Sequence, residues 1–233
     1  MKNTIVTLLL VLLFASGFSQ DLSYNVRGKY SRPINKENLD DVKLISDVIS
    51  GYPKNWITSY SSVEISAICN GNSVTAKSKN AKLTTEQKNS LRTVDLNTDL
   101  IIDVNYTYKV PVTNVVEHNT MHVPMTVIPE VEAEYIGGHQ QLMDYLKENG
   151  IDKITGTTPA GFEQVTILFT INEEGAITDA KINKTSLDII IDNTLLDIIN
   201  AMPKWKPAQN AKGVKVKQQF EFSVYKGPGK AGC

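Results

Sequence analysis

Val165-Thr-Ile-Leu-Phe-Thr-Ile-Asn-Glu-Glu-Gly-Ala-Ile-Thr-Asp-Ala-Lys-Ile182 is the stretch on which the fold turns. Val165, Ile167, Phe169 and Ile171 alternate with Thr166, Leu168, Thr170 and Asn172, the period of a strand with one buried face. Asn172-Glu-Glu-Gly175 is a turn, and Ile177 to Ile182 alternates as the return strand, so the segment predicts a β-hairpin. Downstream, Ile191, Leu195, Ile198, Ile199 and Met202 recur at helical spacing, with Asp188 at the positively polarised start and Pro203 as the stop. Val214 to Val224 alternates again. Upstream, the turn Tyr135-Ile-Gly137-Gly138 releases a helix with Leu142, Met143, Tyr145 and Leu146 on one side and Asn149-Gly150 as its end. Residues 129–226 therefore predict helix, strand, strand, helix, strand: three antiparallel strands packed against two helices.

The half before Pro129 is mainly β. Val63, Ile65, Ala67 and Cys69 alternate with polar neighbours, and Asn70-Gly71-Asn72 is a hairpin signal because Asn and Gly tolerate positive φ. Val74 to Lys77 is the return strand. Leu100 to Tyr108 and Met121 to Ile128 are two more strands. Thr84-Thr85-Glu86-Gln87 opens a short helix as a capping box. Leu39, Val42, Ile45, Val48 and Ile49 predict an amphipathic helix over 38–49, closed by Gly51 and Pro53. Residues 20–34 are polar and mixed, with Arg32-Pro33 ending any regular element. The fold class is α+β, with a mainly β domain over 20–128, a second domain over 129–226 and a flexible tail over 227–233.

The first twenty residues address the chain. Lys2 precedes the apolar run Ile5 to Ala15, about 16 Å long as a helix and about half the thickness of a bilayer core. With Gly17 and Ser19 at −3 and −1 of a cut before Gln20, residues 1–19 read as a cleavable secretory signal. The expected destination is the periplasm or beyond, with no stable membrane span left after cleavage. The 233 residues carry 24 basic and 25 acidic side chains, a formal charge of −1, which lacks the basic signature of nucleic-acid binding. Charge is nevertheless segregated, since residues 201–233 hold seven lysines and one glutamate, Glu221. Two cysteines build neither a disulfide framework nor a four-ligand zinc site; Cys69 reads as a buried thiol and Cys233 as a terminal one.

The hairpin, together with Ala201-Met-Pro-Lys-Trp-Lys-Pro-Ala208 and the closing strand, resembles the C-terminal domain of TonB-type energy transducers in the form found in the Bacteroidota. Their shared pattern is a V-x-V-x-F-x-V-x-x-x-G-x-I hairpin, a helix ending in M-P-x-W-x-P and a final strand. Gly175, Pro203, Trp205, Pro207, Tyr135, Gly137 and Gly138 match its motifs. Residues 61–109 bear a weaker resemblance to a gliding-motility GldM-type domain. The resemblance implies an extended peptide bound by strand addition near the last strand, at Val214, Lys215, Val216, Lys217, Gln218 and Gln219. An edge strand offers unpaired backbone groups to any extended chain, and the lysines there either keep the edge soluble or favour an acidic peptide. The expected function is an exported, non-enzymatic module that binds a protein or extended peptide at the envelope, an outer-membrane receptor among the candidates. Energy transduction would require the N-terminal segment to stay as an anchor and a periplasm-spanning spacer, which the nine scattered prolines do not make. An accessory role in envelope secretion is the other alternative.

Little points to catalysis. No G-x-S-x-G, P-loop or dinucleotide glycine motif occurs, and no cofactor is implied. His118 and His122 stand four apart in an extended context, about 13 Å from end to end, too far for one metal. His139 at a helix start reads as an exposed polar residue. Glu130, Glu132 and Glu134 read as a solvated acidic face, and Trp205 as a core plug between two prolines.

Overall fold

A computed structural model describes residues 22–159 and 161–227. The expected signal segment, the tail from 228 onward and Cys233 lie outside these. The elements are β1 (Leu22–Gly28), β2 (Pro33–Asn35), β3 (Ile57–Cys69), β4 (Asn72–Ser78), α1 (Thr85–Thr93), β5 (Asp99–Lys109) and β6 (Val116–Ile128). After them come β7 (Glu134–Tyr135), α2 (Gly138–Leu146), α3 (Asp152–Ile154), β8 (Gln164–Ile171), β9 (Ile177–Lys184), α4 (Ile189–Asn200), β10 (Trp205–Lys206), β11 (Ala208–Gln209), β12 (Lys215–Val216) and β13 (Gln218–Lys226). The fold is α+β and mostly strand.

The first sheet has the order β2-β6-β5-β3-β4, antiparallel except for the parallel β2–β6 pair. Its β3–β4 hairpin turns on Asn70 and Gly71 at φ 50° and 76°, as their side chains allow. The Asp95 carboxylate accepts from the Asn70 and Gly71 amides at 3.0 and 2.8 Å. One face carries the core of Leu39, Ile45, Val63, Ile65, Leu91, Leu100, Ile102 and Val127. Helix α1 closes over β3 and β4. Its capping box forms as expected: Gln87 N donates to Thr84 Oγ1 at 3.2 Å and Thr84 N to Gln87 Oε1 at 3.0 Å. Gln87 Nε2 also donates to the Val63 carbonyl at 3.0 Å, so the cap ties the helix to the sheet.

The helix expected over 38–49 is instead two 3-10 turns, Lys36–Leu39 and Ile45–Asp47. Leu39, Val42, Ile45, Val48 and Ile49 are all buried, because a spacing of three serves a 3-10 turn as well as an α-helix. Between the turns Asp47 Oδ2 accepts from the Lys43 and Leu44 amides at 2.9 and 2.8 Å, giving those amides a partner other than a helix carbonyl.

The second sheet has the order β1-β13-β8-β9. The expected hairpin forms as β8–β9, but a fourth strand joins from a segment that reads as polar and mixed, with no strand expected: β1 pairs along β13 from Leu22↔Lys226 to Gly28↔Phe220 without a break. Tyr24 and Val26 pack with the core of Leu146, Ile167, Phe169, Leu195, Ile199 and Phe222. The second core thus takes in residues from both ends of the described chain. Asn149-Gly150 does not stop the helix begun by α2. A π turn over Lys147–Ile151 carries it on into α3. Gly150 serves packing instead, since a Cβ there would lie 3.0 Å from Ile198 Cδ1. On α4, Asp188 stands at the positively polarised start as expected, and its Oδ1 also caps the helix, accepting from the Ile190 and Ile191 amides at 2.8 and 3.2 Å.

Candidate strand-addition edge

The strand expected over 214–224 is broken. Val214, Lys215 and Val216 leave the main sheet for a small hairpin in which Lys215 and Val216 pair with Gln209 and Ala208. Asn210 Oδ1 accepts from the Val214 amide at 3.0 Å, and Gly213 takes φ 71° at the turn. Main-sheet pairing begins only at Gln218. From Phe220 onward β13 is an interior strand with β8 on one side and β1 on the other. Within the edge expected at Val214 to Gln219, Lys215 and Val216 are paired on one side only, and Gln218 and Gln219 pair with Ile171 and Thr170 of β8.

Two polar side chains hold its start. The Asn97 carboxamide donates from Nδ2 to the Lys217 carbonyl at 2.8 Å, and its Oδ1 accepts from the Gln219 amide at 3.3 Å. Asn97 comes from the loop before β5 and has φ 59°; it offers β13 the donor and acceptor that a neighbouring strand would. The Lys29 amide donates to the Gln219 carbonyl at 2.9 Å. Gln218, 1% exposed, turns to the other segment: its Oε1 accepts from the Ala133 amide and its Nε2 donates to Glu132, both at 2.6 Å.

The acidic stretch is exposed, yet each carboxylate has its own partner. Asn35 donates to Glu130 at 3.1 Å, the Tyr30 hydroxyl to Glu132 at 3.2 Å and Lys206 to Glu134 at 2.8 Å. Burial and the Glu132 carboxylate beside it push the Tyr30 hydroxyl pKa up. No spacing rule points to these contacts, since the partners lie 72 to 102 residues away.

With β13 enclosed, the sheet ends at β1 and β9. Strand β9 is a protected edge. Its pairing with β8 shifts register between Thr166/Ile167 and Leu168/Thr170, Asp179 sits at φ 55°, and Lys181 and Lys184 line it. Strand β1 carries neither bulge nor proline. Backbone groups of an antiparallel pair point alternately inward and outward. With Lys29 bonded to Gln219, the inward residues are Ser23, Asn25 and Arg27. The amides and carbonyls of Tyr24 and Val26 then point away from β13, and among the described residues none of them has a partner. A cleft of about 620 Å³ lies at the end of this edge, lined by Arg27, Lys29, Tyr30, Asn97, Thr126 and Glu221. Arg27 is ion-paired to Glu221 at 3.2 Å.

The residues singled out as motif meet in one place. Trp205 is buried edge-on to Tyr135 at 5.6 Å and beside Phe169 and Phe220 at 6.1 and 5.1 Å, the core plug expected of it. Its backbone pairs with Tyr135 and its amide donates to the Gly175 carbonyl at 2.8 Å. Gly175 has φ 78°, and a Cβ on it would lie 2.0 Å from the Trp205 carbonyl oxygen. The hairpin turn thus needs glycine for its backbone angle and for the approach of the Pro203–Pro207 segment. Gly137 takes φ 101° in front of α2 and Gly138 φ 83° at its first position.

The histidines fall elsewhere. His118 and His122 lie on β6, paired with Thr107 and Asp103 of β5. His122 Nδ1 is 2.6 Å from Asp103 Oδ1, in a cross-strand polar row that also holds the Asn105–Ser62 and Thr120–Asn105 bonds at 2.8 and 2.7 Å. His139 is exposed on the first turn of α2. Among the described residues, no three His, Cys, Asp or Glu side chains converge as a metal site, and no helix is long and apolar enough to cross a membrane. Cys69 is buried with its Sγ 3.4 Å from the Ser90 carbonyl. Compared with family models, curated proteins and solved structures, the chain matches none.

Proposed function

We propose that this chain is an exported, non-enzymatic binding module that takes an extended peptide or protein segment at the cell envelope by strand addition to its second sheet. The observation that carries the reading is the edge of β1, where the Tyr24 and Val26 backbone groups face outward beside a strand of unbroken register. Main-chain bonds would supply affinity there, and alternate side chains would supply selectivity. Arg27 and Lys29 at the end of the edge favour an acidic or carboxylate-ended segment. The TonB-C-like reading of residues 129–226 belongs to this proposal, supported by the packing of the Gly175 turn on Trp205. The receptive strand differs from the one that resemblance implies: β1 stands where the partner's strand would lie, and the partner adds one place further out.

Amide shift mapping with short acidic and neutral extended peptides tests it. Perturbation along residues 22–28 supports the reading, and shifts confined to other strands refute it. Val26→Pro removes an outward amide without touching the β1–β13 ladder. It should abolish binding, whereas Val26→Ala, which loses the same packing, should retain it.

A further inference from the structure

Trp56, Val112, Val115 and Val116 are 73%, 91%, 53% and 59% exposed. Pairing places them at one end of the first sheet, because Ile57 lies opposite Tyr108 and Lys109 opposite Val116. Two strand spacings separate Trp56 from Val116, about 10 Å. The end is held in shape. Thr58 and Ser59 hydroxyls reach Thr107 Oγ1 at 2.9 and 2.6 Å, where β3 bulges against β5. The β5–β6 turn closes through Val110 N to the Val115 carbonyl at 2.9 Å and Asn114 N to the Val110 carbonyl at 2.8 Å. The apolar side chains therefore stand out from a closed ribbon and are not folded back onto it.

The charge around them leans positive: Lys54 and Lys109 flank the tip exposed, against one exposed carboxylate, Glu117, which accepts from the Tyr108 hydroxyl at 2.6 Å. The tip is also small. One tryptophan and three valines present on the order of a few hundred Å², short of the roughly 800 Å² per partner of a stable protein interface. A bilayer surface demands no matching shape; it takes an indole at the headgroup level, valines just below it and lysines at anionic headgroups.

We infer that this tip docks on a lipid bilayer, with Trp56 and the valines in the interface and Lys54 and Lys109 on anionic headgroups. The inference does not depend on the strand-addition edge, which belongs to the other sheet. The test is flotation of the chain from Gln20 onward, the product of the expected cut, with vesicles of phosphatidylethanolamine and phosphatidylglycerol, beside vesicles of phosphatidylcholine alone. Trp205 is buried, so the fluorescence response reports Trp56. Binding is expected with a shift of emission to shorter wavelength and loss of iodide quenching, and more strongly on the anionic vesicles. Val112→Ser with Val115→Ser should lower partitioning roughly tenfold or more; Trp56→Ser should lower it as well. Three results would overturn the inference: no flotation on either lipid, flotation untouched by these variants, or flotation removed by Ile189→Ser with Ile190→Ser, which alters the exposed apolar start of α4. Concentration-dependent self-association abolished by the tip variants, without vesicle binding, would assign the tip to a second copy of the chain and likewise overturn it.

Discussion

Asn97 holds Gln219 as a strand would, accepting from its amide at 3.3 Å while donating to the neighbouring Lys217 carbonyl at 2.8 Å. One carboxamide, projected from the first sheet, thereby pins the start of the last strand of the second. Replacing Asn97 with Ala removes both bonds and leaves a residue poorly suited to φ 59°, at an expected cost of about 1–3 kcal/mol. Asn97→Gly relieves the backbone and should cost less. Urea unfolding measures the pair, and exchange of the Gln219 amide should quicken in both.

Gly175 and Gly71 make a second comparison. Both take positive φ, 78° and 76°, but a Cβ on Gly71 meets open space whereas one on Gly175 runs into the Trp205 carbonyl. Gly71→Ala should cost about 1 kcal/mol, from the backbone angle alone. Gly175→Ala should cost more than about 3 kcal/mol, because the hairpin turn must part from the Trp205 segment. Thermal unfolding of the two variants separates the steric part from the conformational part.

Gln218 is the buried polar joint between β13 and the acidic stretch. Gln218→Ala leaves the Ala133 amide without its acceptor, at an expected cost of about 2–3 kcal/mol. Gln218→Glu sets a carboxylate against Glu132 and should destabilise further at neutral pH, with part of the loss recovered in acid as the pair shares a proton. Denaturant titrations at the two pH values check this.

Asp192 governs part of the acid response. Burial pushes its carboxyl up, but hydrogen bonds from Ser186 and Thr185 outweigh burial and hold the pKa below the ordinary value. A lowered folded pKa stabilises fully above the unfolded value of about 3.9 and is lost as pH falls through the folded one. Asp192→Asn should therefore lower stability at neutral pH and flatten its decline below about pH 4.

The parts of this fold that sequence reading reached are those with local causes. The Asn70-Gly71 turn, the Thr84–Gln87 box, the acidic start of α4 at Asp188 and the Val165–Ile182 hairpin each depend on residues within a few positions. The misses have causes as specific. Ser23, Asn25 and Arg27 point away from the core of the second sheet while Tyr24 and Val26 point toward it, an alternation that is present in the sequence but only a few residues long, and its partner lies about two hundred positions away. Leu39 to Ile49 satisfied a helical spacing that two 3-10 turns also meet. At the candidate site, the motif residues around Trp205 were legible, but the open edge of β1 was not. Which strand is last in a sheet is a property of the whole chain, and no periodicity within Val214–Val224 records that β1 lies beside it.

Amide hydrogen exchange of β1, with and without a bound extended peptide, tests the central claim most directly. Strand addition predicts that the Tyr24 and Val26 amides slow on binding while those of Ser23, Asn25 and Arg27, already bonded to β13, stay protected. Faster exchange at Ser23, Asn25 and Arg27 would show the peptide displacing β1, and no change at Tyr24 and Val26 would show that it binds elsewhere; either result contradicts the account.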